Sequence, residues 1–443
     1  MKLSAFQLVV SGICILLVMI GIAVFATFGG GGSQSAIGTV VVWGTADQNA
    51  VDQALQTLRQ QDKSFQGVSY LQKKATTYAS DLVNAMAAGQ GPDLFFVSQD
   101  YIGTFADKVQ LVPYSTLSQS TYNNSFVDES QLFLTPQGAL ALPVLIDPLV
   151  LYWNRDLFAS AGLAQPPKYW NGFLDIAPKI TTRDANGAIT KSLVALGGWG
   201  NILYAKQIIS ALVMQAGDRI ITRLPTQPGG QNGTLAVVLG QTPQGALENP
   251  ATSALRFYTE FANPSKTSYS WNNARPRSID AFAAGDLAVY IGYSSDYTAL
   301  VARNPNLHFA VAVLPQIEGN ATHVTWGQIT GVAVARSAAN PSGAFVIAQK
   351  LSSQAGVAAL AQANGLPPVR RDVAQDTSAN APATAAVQSA LIAQAWLDPN
   401  PAKSDPIFQT MIESVLSGKS QPDQAVAQAA QQLQALLQAS PAR

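Results

Sequence analysis

The chain has 443 residues, 26 basic and 26 acidic, so its formal net charge is zero. A chain this long with balanced charge has enough mass for two domains with buried cores and no design for nucleic acid or anionic lipid. It has one cysteine, Cys14, and two histidines, His308 and His323. That excludes a disulfide framework, a thiol catalyst and a zinc-thiolate site in the body. Neither histidine stands in a metal-ligand spacing.

Between Lys2 and Asp47 there is no charged residue, and Phe6 to Phe28 is almost wholly apolar. That run matches the span of a hydrocarbon core. Residues 1–28 are therefore expected to form a transmembrane anchor, and the Gly/Ser stretch 29–36 a linker. Lys2 places the N-terminus in the cytoplasm and the body outside. The alternative is a signal peptide cleaved after Val24-Phe25-Ala26, although its apolar region is usually shorter than this one. Cys14 sits within the run and reads as a small apolar residue of it.

The body opens on Thr39 to Trp43, a β-branched run expected to be a buried strand. Asn49 to Gln61 has helical spacing, Phe65 to Leu71 reads as a second strand, and Asp81 to Ala88 as a second helix. Leu94 to Val97 is a third buried strand. Alternation at this pace predicts parallel pairing through right-handed crossovers, with ligands at the carboxyl ends of the strands. Leu140 to Trp153 is apolar, broken by Pro143 and by Asp147-Pro148. Ala185 to Gly187 is a turn, Ile202 to Ala216 a long apolar helix, and Arg219 to Glu248 an exposed loop or hairpin. Helices are expected at 250–261, 344–351, 356–363, 385–395, 408–416 and 422–437, and strands at 288–292, 309–313 and 329–335. The tail after Ser440 is expected to fray.

Three stretches carry a resemblance. Ala141-Leu-Pro-Val-Leu-Ile-Asp-Pro-Leu-Val-Leu-Tyr-Trp-Asn-Arg-Asp-Leu-Phe158 resembles a family pattern of Leu-Pro followed by Leu-Tyr-Tyr-Asn-Lys-Asp-Leu-Phe, then Ala161-Gly162-Leu163 and Pro166 to Trp170. Ala281 to Val289 is similar to Ala-Phe-x-x-Gly-Lys-Ala-Ala-Met. Val313-Leu314-Pro315 precedes a glycine-containing strand, Trp326 to Val334. In this order they resemble the extracellular solute-binding proteins of ABC importers, in the carbohydrate-binding group that includes maltose-binding protein. The likeness covers about residues 37 to 440.

The resemblance implies a two-lobed α/β periplasmic-binding-protein fold of type II with a hinge. By similarity one lobe holds 37–142 and 330–368, and the other 143–329 and 369–443. It implies a solute held in an interlobe cleft and passed to an ABC permease by a monomer that is not an enzyme and uses no cofactor. The implied solute is a sugar or oligosaccharide. Two alternatives remain open: a membrane-anchored glycoside hydrolase working through carboxylates alone, and a sensor or a peptide- or polyamine-binding member of the same fold.

Sugar recognition needs aromatic faces and planar polar groups. Trp43 ends the first strand and reads as either core or site. Asp47 lies in the loop that matches a family contact segment, and also stands where a helix cap belongs. Ser98, Asp100 and Tyr101 match the second contact loop, with a cap as the alternative for Asp100. Asp147 occupies the position where sugar-binding members place an acid; otherwise it shapes the turn before Pro148. Trp199 and Asn201 lie in a glycine-rich segment that lets a ring project. Tyr293 and Ser294 follow a strand where many members present an aromatic residue. Trp326 lies at a later hinge crossing beside Gln328, and Trp271 in the segment before Ala281 is a weaker candidate. The first loop departs from the family by lacking an Asp-Lys pair, since Gln48 follows Asp47.

Overall fold

β-Branched and aromatic runs set the first strands, and the residues between them set the helices. In a computed structural model, residues 37–224, 233–242, 248–374 and 381–439 are described. Strand β1 (Val40–Gly44) leads into α1 (Gln48–Gln61), whose Val51, Ala54, Leu55 and Leu58 are buried on one face. Then come β2 (Val68–Gln72), α2 (Tyr78–Ala87), β3 (Leu94–Ser98) and a single turn, α3 (Gln99–Ile102). β1 pairs parallel with both β2 and β3, as the alternation predicts.

The apolar stretch at 140–153 is expected to break at its prolines. Instead Leu142–Asn154 is one strand of 13 residues, β4. A bulge next to Pro143 takes up the first break, where the partner strand shifts register between Thr330 and Gly331. The second proline lies where the strand leaves one core for the other. Asn154 then caps α4 (Arg155–Ser160), accepting from Asp156 N–H and Leu157 N–H at 2.9 and 3.0 Å.

The second lobe continues with α5 (Asn171–Ile180), β5 (Ile189–Val194), α6 (Ala205–Gln215) and α7 (Pro250–Glu260). Between α6 and α7 the expected hairpin pairs Ile221–Arg223 with Leu235–Val237. Next are β6 (Leu287–Tyr293), α8 (Asp296–Arg303) and β7 (Phe309–Ala312). Strand β8 (Thr325–Ala335) begins earlier than the expected 329. It is followed by α9 (Pro341–Leu351), α10 (Gln354–Asn364), α11 (Ala381–Leu391), α12 (Pro401–Leu416) and α13 (Pro422–Ala439). The helix expected at 385–395 stops at Leu391, because Ala393–Gln394 instead pairs with the start of β8. Tertiary pairing there overrides helix propensity.

Hydrogen-bonded neighbours run β2-β1-β3-β8-β4-β6-β5 in one path. β8 is antiparallel to β3 and to β4, and β4 to β6. Two apolar cores sit along this path. One gathers Val40 to Ile146, Ile329 to Val369, and Ala390 and Ala393. The other gathers Leu149 to Trp326 and Trp396 to Leu433. The changeover on β4 and β8 falls at Asp147-Pro148 and Gly327-Gln328, which face each other in register.

The expected membrane anchor at 1–28, the linker at 29–36 and the tail after Ser440 lie outside the described residues. Among the described residues, no helix is long and apolar enough to cross a membrane.

Candidate functional site in the interlobe cleft

The two strands that cross between the cores carry polar side chains at the crossing, where a buried strand otherwise carries apolar ones. Asp147 of β4 and Gln328 of β8 are direct partners. Both line a cavity of about 460 Å³, together with Thr45, Ser98 and Tyr101 of the first lobe and Ser295 of the second. That is a size for a small polar molecule.

Asp147 Oδ1 accepts from Ser294 Oγ at 2.7 Å and from Ser295 N–H at 3.2 Å. Both donors lie in the turn between β6 and α8, so second-lobe groups hold a carboxylate of the crossing strand. Burial outweighs these bonds and pushes the Asp147 carboxyl up to about 6. Asp100 behaves alike. Its Oδ2 accepts from Gln328 Nε2 at 3.0 Å, yet burial raises its carboxyl to about 6. Among the described residues, neither acid forms an ion pair. The cavity wall thus holds one carboxyl, Asp147, with no fixed counter-charge, which suits hydroxyl donors, while Asp100 lies behind the wall and is joined to it through Gln328.

Gln328 ties the walls together. Its Oε1 accepts from Tyr293 OH at 3.2 Å, and Tyr293 OH accepts from Trp326 Nε1 at 3.1 Å. Burial raises the Tyr293 phenol well above its ordinary value, so it stays a neutral donor.

The remaining expected residues occupy different places. Asp47 is exposed and caps α1, accepting from Ala50 N–H at 3.0 Å. Trp43 packs partly buried on the first core, with Lys73 Nζ 3.7 Å from its ring centroid. Ser98 caps α3 without a side-chain bond, leaving its hydroxyl at the cavity, and Tyr101 is 42% exposed there. Trp199 lies partly buried on the second core. Asn201 is fully engaged: its Nδ2 donates to Asn272 O and Arg275 O, both at 2.9 Å, and its Oδ1 accepts from Trp271 Nε1 at 3.0 Å. Trp271 and Trp326 are enclosed in the second core at 0% and 2% exposure. Trp326 therefore reaches the site only through Tyr293.

Sequence reasoning missed Tyr204. It is the one non-glycine residue among those described with positive φ, at +64°. Its ring meets Tyr293 edge-on at 4.6 Å, and its hydroxyl donates to Asp296 Oδ1 at 3.2 Å. Tyr290 OH donates to the other oxygen of Asp296 at 2.7 Å. A tyrosine held in the left-handed region stores strain, as is common at functional sites. Nothing in a Leu-Tyr-Ala stretch signals that conformation. Also missed was Lys206, whose Nζ donates to Asp398, Ser404 and Asp405 at 2.5, 2.6 and 2.7 Å. These charges act on Asp100 and Tyr101 across the cleft.

Two α/β lobes on a continuous sheet, crossed by paired strands with a polar cavity at the crossing, define a cleft-type binding protein. Known proteins agree. The sequence pattern of the bacterial extracellular solute-binding proteins matches residues 53–388, and the chain belongs to that family. A binding protein of Brucella abortus is 24% identical over 370 residues, covering 80% of this chain and 82% of that one. The maltotriose-binding protein of Pyrococcus abyssi is 25% identical over 149 residues, which is 33% of this chain and 32% of that one. Among solved structures, the cyclic alpha-maltosyl-1,6-maltose binding protein of Arthrobacter globiformis superimposes with a TM-score of 0.72. It is 19% identical and covers 90% of this chain and 98% of that one.

Proposed function

We propose that this chain is an extracytoplasmic receptor that captures a sugar or oligosaccharide in the interlobe cleft and hands it, unaltered, to an ABC permease. The observation that carries the reading is the convergence at one cavity of Asp147, Gln328 and the Ser294-Ser295 turn, contributed by both crossing strands and the second lobe. A ligand that touches both lobes in the shut form and mainly one in the open form shifts the hinge by that difference.

Asp147 accepts hydroxyl hydrogen bonds, Gln328 and the Ser98 and Ser295 hydroxyls offer planar and rotatable partners, and Tyr101 supplies a ring face. Maltotriose and cyclic maltosyl-maltose are the ligands in the names of two relatives, which favours α-linked glucose units. The two cores support a lobe division at the Asp147-Pro148 and Gly327-Gln328 crossing. The chain acts as a monomer, held at the membrane by its apolar segment 1–28.

A thermal-shift screen of maltose, maltotriose and cyclic maltooligosaccharides tests this, because binding to the native state raises the melting temperature. A rise with at least one of them, confirmed by calorimetry with the sugar recovered unchanged, is the expected result. No shift with any sugar, or cleavage of the sugar, rejects it.

A further inference from the structure

A second gap between the lobes lies on the opposite face of the hinge. Its volume is about 630 Å³, and its walls include Tyr114, Glu129 and Thr135 of the first lobe and Arg219, Arg223 and Trp396 of the second. Successive residues of a strand face opposite sides. Gln328 faces the solute cleft, so Gly327 faces this rear groove, and there it meets Glu129. A Cβ at Gly327 would overlap Glu129 Oε2. The carboxyl is therefore wedged against the strand at the point where it crosses between lobes.

Glu129 lies in the 3₁₀ turn Asp128–Phe133 and is 2% exposed. Among the described residues, neither of its carboxyl oxygens has a partner at hydrogen-bond geometry. Ile329 N–H donates to Gln99 Oε1 at 3.0 Å and lies close enough to Glu129 to favour its charged form, an effect smaller than that of burial. The charges around it do not compensate. Asp100 on α3 repels an anion there. Asp128, in the same turn, is paired with Arg371 at 2.8 Å. Arg219 and Arg223 stand on the second-lobe side of the groove, and Gly327, Ile329 and Ala393–Gln394 bring no charge. Burial, reinforced by Asp100, raises the carboxyl to about 8, so it is uncharged at neutral pH.

We propose that Glu129 is a proton-controlled wedge at the hinge, whose ionisation drives the lobes toward the form with a wide rear groove and a shut solute cleft. The inference rests on the solute-capture reading, because it assigns the hinge motion a second input. Rotation about a hinge that lies between two gaps narrows one as it widens the other. An unpaired carboxylate is strongly disfavoured in a dry site and tolerated where water reaches it. Rising pH therefore favours the form in which Glu129 ionises more readily, which is the shut one. Each unit of pKa difference between the two forms shifts their ratio about tenfold.

The test is pulsed dipolar spectroscopy on the full chain without solute. Spin labels go on Thr76→Cys and Ala274→Cys, exposed positions on the two lobes, and Cys14→Ser removes the native thiol. Between pH 6 and pH 9.5 the ratio of short to long distances should rise about tenfold or more, given a pKa difference of one unit or more. Glu129→Gln should abolish the rise. An unchanged ratio in the otherwise native chain, or the same rise in Glu129→Gln, overturns the proposal. If Glu129→Gln does not fold, carbon-13 NMR of the glutamate carboxyls decides. A titration near pH 8 in step with the distance change supports the wedge, and its absence rejects it. No solute is present, so the outcome is separate from whether maltotriose binds.

Discussion

Ser294 donates its hydroxyl proton to Asp147 Oδ1 at 2.7 Å, although 147 positions separate the two residues. The bond joins the turn after β6 to the strand that crosses between lobes. The second lobe thus holds the carboxyl of the crossing strand in place, through Ser294 and Ser295.

Replacing that acid isolates its share of recognition. Asp147→Ala is expected to weaken maltotriose binding by about 1–3 kcal/mol, the cost of losing hydrogen bonds to a charged group. Isothermal titration calorimetry at pH 7.5 reads this directly. Affinity equal to that of the unaltered chain would remove Asp147 from the contact set.

Gln328 engages three groups at once, donating from its Nε2 to Asp100 and Gln99 and accepting at its Oε1 from Tyr293. Gln328→Leu keeps the bulk and strips all three bonds, leaving donor and acceptors stranded. A stability loss of about 1–3 kcal/mol is expected in urea unfolding. A loss of solute affinity should accompany it, since the bonds span the hinge.

The pH dependence of stability has a definite sign. Asp100 and Asp147 titrate near 6 in the fold, against 3.8 ordinarily. Between those values the folded chain holds more protons than the unfolded one. Their contribution is therefore fully present below about pH 4 and is lost as pH rises through about 6. Melting temperatures measured from pH 4 to pH 7 should show this downward component. It should be smaller in Asp100→Asn/Asp147→Asn, and an unaltered slope in that double variant would contradict the assignment.

Lys206 is buried with Asp398 as its closest partner, and both side chains are under a tenth exposed. Lys206→Met leaves Asp398 as an unpaired buried charge and is expected to cost about 3–5 kcal/mol of stability. Adding Asp398→Leu removes the orphan and should recover most of that loss. Urea unfolding of the single and double variants tests the pair. Equal destabilisation in both would mean packing, not charge, dominates.

Much of the fold is legible in the residues because its signals are local. The alternation of Val40–Gly44, Gln48–Gln61, Val68–Gln72 and Leu94–Ser98 follows from short β-branched and aromatic runs separated by a helical period. Asp147 stands out by its place in the family pattern, and the structure sets it opposite Gln328 where the strands cross. The same local logic left Asp47 divided between cap and contact, and the bond to Ala50 N–H accounts for its capping role.

Other features depend on partners far along the chain. That β4 runs unbroken through two prolines depends on a bulge against β8 and on a crossing between cores. That Ala393–Gln394 leaves its helix depends on Thr325 and Trp326 lying alongside. Tyr204 acquires its left-handed backbone, and Glu129 its unpartnered carboxyl, only once Asp296 and Gly327 are brought to them. Sequence alone determines element type, because propensity and periodicity act within a few residues. Tertiary structure decides which polar groups share a cleft and which are left without water, because desolvation depends on what the rest of the chain brings within a few ångströms.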